Sequence, residues 1–136
     1  MLEPTALAEV IVDLPYRPQS AAQARNAVRR ALLGWGLDDL VDDGALVVSE
    51  LVANAAKTGC HQEMALRITR STAASVRIAV TDGSRALPVR IKAAGASAES
   101  GRGIDLVHRL TRGHWGVEVE TFGKTVHADL RRGGTR

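Results

Sequence analysis

The chain has 136 residues, 45% of them hydrophobic and 24% charged, with a formal charge of +3 and a pI of about 9.6. That is enough for one compact domain with its own core and too little for two, and the composition excludes wholesale disorder. Aromatic residues at 3% leave few stacking platforms for single strands, and no cluster of Arg, Asn and Gln marks a recognition helix, so no direct contact with nucleic acid is expected.

Other features narrow the class further. No apolar run approaches membrane-spanning length, so no membrane partner is expected. The opening Met1 to Leu14 carries Glu3, Glu9 and Asp13 and lacks a basic start, which argues against a signal peptide. The sole cysteine, Cys60, cannot form an internal disulfide and reads as a small structural residue. A cytoplasmic protein is the expectation.

Ala8 to Pro15 places Val10, Val12 and Leu14 on one side and predicts an opening strand, closed by Pro15 and Pro18. Ser20 reads as the N-cap of an amphipathic helix over Ala21 to about Leu33. Its apolar positions Ala24, Ala27, Val28, Ala31 and Leu32 recur at three and four, and Gly34 and Gly36 end it. Asp38, Asp39, Asp42 and Asp43 supply acidic caps and first-turn charges for the next helix. That helix, Val47 to Lys57, is apolar almost all round, which predicts a buried helix, and it stops around Thr58 and Gly59.

Glu63 to Thr69 and Ser75 to Thr81 alternate as two strands of a hairpin that ends on Asp82, Gly83 and Ser84. Gly83 to Ser100 is rich in Ala, Gly and Ser with little helical period, and it reads as a lid. Gly101, Arg102 and Gly103 open a short helix, Ile104 to Leu110. Two strands, His114 to Thr121 and Thr125 to Leu130, close the chain around a turn at Gly123 and Lys124, before the basic tail Arg131, Arg132 and Arg136.

The central helix carries a single polar stripe: Glu50, Asn54 four residues on, and Lys57 three further. A buried carboxylate or amide must find a partner, roughly 1–3 kcal/mol being at stake for the amide alone. One reading pairs Glu50 with Lys57 or an arginine. The other reads the stripe together with Asp82 and with Gly101 and Gly103. An aspartate accepts a hydrogen bond from an adenine amino group, an amide oxygen holds magnesium beside phosphates, and a helix N-terminus takes the phosphates. Taken alone, the two glycines are also explained as residues of a tight turn.

Glu50-Leu51-Val52-Ala53-Asn54-Ala55, Asp82-Gly83, Ser100 to Val107 and Gly123-Lys124-Thr125-Val126 resemble the N box, G1 box, G2 box and closing strand of the GHKL (Bergerat-fold) ATPases. The likeness spans nearly the whole chain. It implies one domain over residues 1–136 with an α+β two-layer sandwich: a mixed, mostly antiparallel sheet with helices on one face. Within that superfamily the chain is similar to the single-domain anti-sigma factor serine kinases, particularly the actinobacterial ATP-binding regulators.

The resemblance implies ATP and Mg2+ as cofactors. Asn54 would be the magnesium ligand, Asp82 the adenine reader with Gly83 beside it, and Gly101, Arg102 and Gly103 the hinge and phosphate cradle. Thr125 would support the adenine contact, and Glu50 would be the general base that deprotonates a substrate hydroxyl. The implied activity is that of a serine/threonine protein kinase. Its implied partners are a sigma factor that it sequesters and a STAS-type antagonist that it phosphorylates, and the resemblance leaves a homodimer open. Ser84 stands where the usual G1 box has a second glycine, and Thr58 where related regulators often show a histidine. Ser84 favours the alternative, a non-catalytic protein-binding regulator on the same fold with weak or no ATP turnover.

Overall fold

The computed structural model describes residues 8–17, 19–57, 63–83, 98–121 and 123–133, with side chains for all of these except 57 and 98–103. Five strands are present, β1 (Glu9–Leu14), β2 (Met64–Thr72), β3 (Ser75–Asp82), β4 (Trp115–Glu120) and β5 (Gly123–Arg131). Three helices accompany them: α1 (Ser20–Gly34), α2 (Val41–Lys57) and α3 (Ala98–Leu110). The strands form one sheet in the order β1-β2-β3-β5-β4. Every neighbouring pair is antiparallel, so the expected α+β two-layer class holds and the mixed sheet resolves to an antiparallel one.

Strand alternation decides where the core sits, because successive side chains point to opposite faces. Leu14, Met64, Leu66, Ile68, Val76, Ile78, Val80, Val126, Ala128 and Leu130 are buried on one face and pack in a single cluster with Val28 and Leu32 of α1 and Val47, Val48 and Leu51 of α2. The opposite face carries Ile11, Arg67, Arg77 and His127, and Ile11 there is 56% exposed.

The two long helices approach closely. A Cβ at Gly44 would stand 2.9 Å from Leu32 Cδ1 and 3.0 Å from Val28 Cγ1, so a larger residue at this crossing would have to displace those two side chains. Arg25 Nη1 donates to Ser49 Oγ at 3.1 Å, and Ser49 Oγ donates to the Ala45 carbonyl at 2.9 Å, which ties the polar edge of the same contact.

Several boundaries differ from the sequence expectations, each for a local reason. Ser20 is the first residue of α1 rather than its cap; its hydroxyl donates to the Pro15 carbonyl, and Gln19 at the cap position makes no side-chain cap bond. Helix α2 begins six residues before Val47, following a short 3-10 turn at Asp38–Leu40, so Asp42 and Asp43 lie inside its first turn. Nor is α2 buried all round: Ala53 and Ala56 are exposed and Leu46 is 47% exposed, because the sheet and two flanking helices leave the outward stripe uncovered.

Helix α3 begins at Ala98, so Gly101 and Gly103 sit within its first two turns instead of preceding it. Good helix formers such as Ala98 and Glu99 extend it backwards at little cost. Of the lid expected over Gly83 to Ser100, residues 84–97, Ser84 included, lie outside the described residues, as do Thr58, Gly59, Cys60 and Arg136.

Glu120 pairs with Gly123, so Gly123 and Lys124 belong to β5 instead of to a turn. Helix α3 ends in a Schellman-type turn in which Gly113 N–H donates to the His108 carbonyl at 2.8 Å, with Arg112 and Gly113 at φ of 57° and 84°. No helix among the described residues is long and apolar enough to cross a membrane.

Candidate functional site

The direction of the helices brings the sequence motifs to one end of the sheet. Gly44, near the start of α2, faces the middle of β3, with Ile78 Cδ1 3.7 Å from its ideal Cβ position. Farther along, Val52, Ala53 and Ala56 line a cavity of about 360 Å³ together with Met64, the first residue of β2. Met64 adjoins Ala65, which faces Thr81 across the sheet, so α2 runs towards the Asp82 end of β3. Helix α3 runs the other way, since Leu110 and Thr111 share a cleft with Val76 and Leu130. Its 13 residues rise by about 20 Å, close to the span of β3 from Val76 to Asp82, which carries its first turns, with Gly101 and Gly103, back towards Asp82.

Asn54 is 5% exposed within α2. Its Oδ1 is buried and accepts no hydrogen bond from the described residues, although Asn54 takes part in another polar contact. Glu50 lies one turn earlier and is half-buried, as befits a carboxylate with one side in the protein and one side open. Among the described residues no salt bridge reaches Glu50, and Arg25 of α1 donates to the neighbouring Ser49. The Lys57 side chain of the expected stripe is outside the described residues.

Asp82 ends β3 with its side chain turned to the helix-covered face, 4% exposed. Directly across the ladder stands Lys124. Its Nζ lies 3.2 Å from Asp82 Oδ1 and 3.0 Å from Oδ2, and the two side chains are 0% and 1% exposed, so this is a sealed ion pair. The backbones also approach closely here: a Cβ at Gly123 would stand 2.1 Å from the Asp82 carbonyl oxygen, so any side chain there would force the backbone to shift. Gly83, the next residue of the box, is exposed.

Thr125 is not brought to Asp82. It points to the opposite face of the sheet, where its hydroxyl lies 2.7 Å from that of Thr81. On that same face His127 has its pKa lowered, first by burial and then by the Arg77 guanidinium, with Asp129 and Glu118 pulling the other way. The sequence reading therefore missed Lys124, which it placed in a turn. A signal was present: counting back by twos from Leu130, Ala128 and Val126 arrives at Lys124 on the core face, whereas Thr125 falls out of phase.

The site fits a magnesium nucleotide on chemical grounds. No group of three or more His, Cys, Asp or Glu that could hold a metal occurs among the described residues, so a closed protein cage is not offered. Magnesium needs few protein ligands beside phosphate and water, and the buried amide oxygen of Asn54 is a donor atom of the right kind. The backbone N–H groups of the first turn of α3 are free of intrahelical partners and favour anions.

A search of curated proteins finds no match for this chain. A family model described as Histidine kinase-like ATPase domain matches residues 14–128, from the end of β1 into β5, and so includes Glu50, Asn54, Asp82 and the start of α3. On that match, and on the sandwich that converges these residues at one sheet end, the chain belongs to the histidine kinase-like ATPase domain family.

Proposed function

We propose that the protein is an ATP-dependent serine kinase that uses Mg-ATP at the Asp82 end of the sheet, sequesters a sigma factor and phosphorylates a STAS-type antagonist. The observation that carries the chemical part is the pairing on α2 of a buried amide oxygen at Asn54 with a half-open carboxylate one turn earlier at Glu50. In this reading Asn54 holds the metal, Asp82 accepts a hydrogen bond from the base amino group, and the first turn of α3, from Ala98 to Gly101, receives the phosphates, with Arg102 and Gly103 just beyond it. A magnesium ion bound there supplies charge neutralisation at the phosphoryl oxygens. Glu50 takes the proton of the incoming hydroxyl, and its partial exposure leaves room for a protein substrate. The partner classes rest on the resemblance of the boxes to single-domain anti-sigma factor kinases.

A second reading has its own observation. Asp82 is already held by Lys124, which favours a protein-binding regulator with weak nucleotide affinity and little or no turnover. Single-turnover transfer from ATP to a recombinant STAS-domain protein, with nucleotide affinity measured in parallel, separates the two. In the kinase reading Asn54→Ala abolishes Mg-dependent binding and transfer together. Glu50→Gln keeps binding and lowers transfer by roughly 10²–10⁴. Parental transfer by Glu50→Gln would remove Glu50 from the mechanism, and the absence of any transfer by a folded parent that still binds nucleotide would leave the regulator.

A further inference from the structure

The contact between Lys124 and Asp82 has a consequence for the nucleotide site. A lone aspartate at the end of β3 would present two acceptor oxygens to a base. Here the Lys124 ammonium lies within 3.2 Å of both, and neither side chain keeps appreciable exposure. The register leaves the lysine no choice of face. Lys124 stands directly opposite Asp82, on the same side of β5 as Val126, Ala128 and Leu130, and Gly123 holds the two backbones at their closest approach immediately before it. A base that is to donate its amino hydrogen to Asp82 must therefore share a carboxylate whose two oxygens both already face a charged, desolvated donor.

We infer that Lys124 sets the nucleotide affinity of this site by competing with the base for the Asp82 carboxylate. The inference rests on the reading of Asp82 as the base acceptor. Removing the ammonium frees acceptor capacity on both oxygens of the buried carboxylate, and the exocyclic amino group of adenine is a donor that can use it. Hydrogen bonds to charged groups are strong enough to shift affinity by about tenfold or more. The effect is expected at the base, because the Lys124 ammonium bonds both oxygens of the carboxylate read as the base acceptor.

Two variants test it. Lys124→Thr removes the ammonium outright. Lys124→Gln is one atom shorter, keeps an NH2 donor group while dropping the charge, and remains usable where the threonine variant loses too much stability. Calorimetry with Mg-ADP, checked by the nucleotide-induced rise in melting temperature, gives the affinities. Each folded variant binds Mg-ADP at least about tenfold tighter than the parent, with the glutamine variant showing the smaller gain. The diphosphate of purine riboside, which lacks the amino group, shows none of that gain. A parent that binds Mg-ADP as tightly as its folded variants overturns the inference and leaves the nucleotide reading standing, and weaker binding by the variants does the same by making Lys124 part of the base contact. An equal gain with the purine riboside diphosphate also overturns it. Folded parent and folded variants that all fail to bind Mg-ADP overturn the nucleotide reading itself.

Discussion

The ladder between β3 and β5 holds, among the described residues, two cross-strand ion pairs of similar geometry that differ in burial. Arg77 faces Asp129 with Nε 2.8 Å from Oδ1 and Nη2 3.0 Å from Oδ2, side chains 48% and 34% exposed. Lys124 faces Asp82 at similar distances with side chains 0% and 1% exposed. The first pair lies on the bare face, where water screens both charges and a geometrically good pair contributes at most about 1 kcal/mol. The second lies on the helix-covered face, where removal of either partner strands a desolvated charge. Distance alone says nothing about worth; the face of the sheet does.

This comparison breaks or sharpens at four points. Lys124→Ala is expected to cost about 3–5 kcal/mol in urea unfolding, the usual penalty for half of a buried pair. A loss under about 1 kcal/mol would mean that water already reaches Asp82, and the contrast between the pairs would collapse.

Gly123→Ala comes next, since its methyl would meet the Asp82 carbonyl oxygen at 2.1 Å and backbone must move to admit it. Overpacking of this kind costs about 1–3 kcal/mol, read from the same urea midpoints. Wild-type stability in this variant would show that the close approach at the buried end is not required.

Arg77→Ala should cost no more than about 1 kcal/mol, and the loss should shrink as salt is raised from 0.05 to about 1 M, which a double-mutant cycle with Asp129→Ala isolates. A salt-independent loss larger than that of Lys124→Ala would invert the comparison.

The smallest effect concerns His127, on the bare face beside Arg77. Its pKa in the folded chain lies below the ordinary 6.5, because burial and the Arg77 charge disfavour the imidazolium. The unfolded chain therefore binds the proton more readily. Stability from this group is intact above pH 6.5 and declines as pH falls below it, through the lowered folded value. Melting temperatures between pH 7.5 and about 5 should drop less for His127→Gln than for the parent, and identical profiles would remove His127 from the pH response.

Much of this was legible in the chain itself. Period-two alternation at Val10, Val12 and Leu14, at Leu66 and Ile68, and at Val76, Ile78 and Val80 specifies strands and their inward faces, because a strand has only two faces to choose from. The apolar spacing of Ala24, Val28, Ala31 and Leu32 likewise specifies one buried helix face, and Glu50 and Asn54 share a stripe by helix geometry alone. The four boxes pointed to the family that the match over residues 14–128 then shows.

Tertiary structure decided the rest, where a local signal is shared by two outcomes. Gly123 and Lys124 suit a turn as well as a strand, and only pairing with β4, and of Lys124 with β3, makes them strand residues; that register turns Lys124, rather than Thr125, towards Asp82. Gly101 and Gly103 suit a loop, yet α3 reaches back to Ala98. Leu46, Ala53 and Ala56 have the residue types of a core stripe, yet they are exposed because the layers around α2 end before they reach its outer face. Residue type states what a side chain tolerates, and only the packed neighbours determine whether it meets water, backbone or an opposite charge.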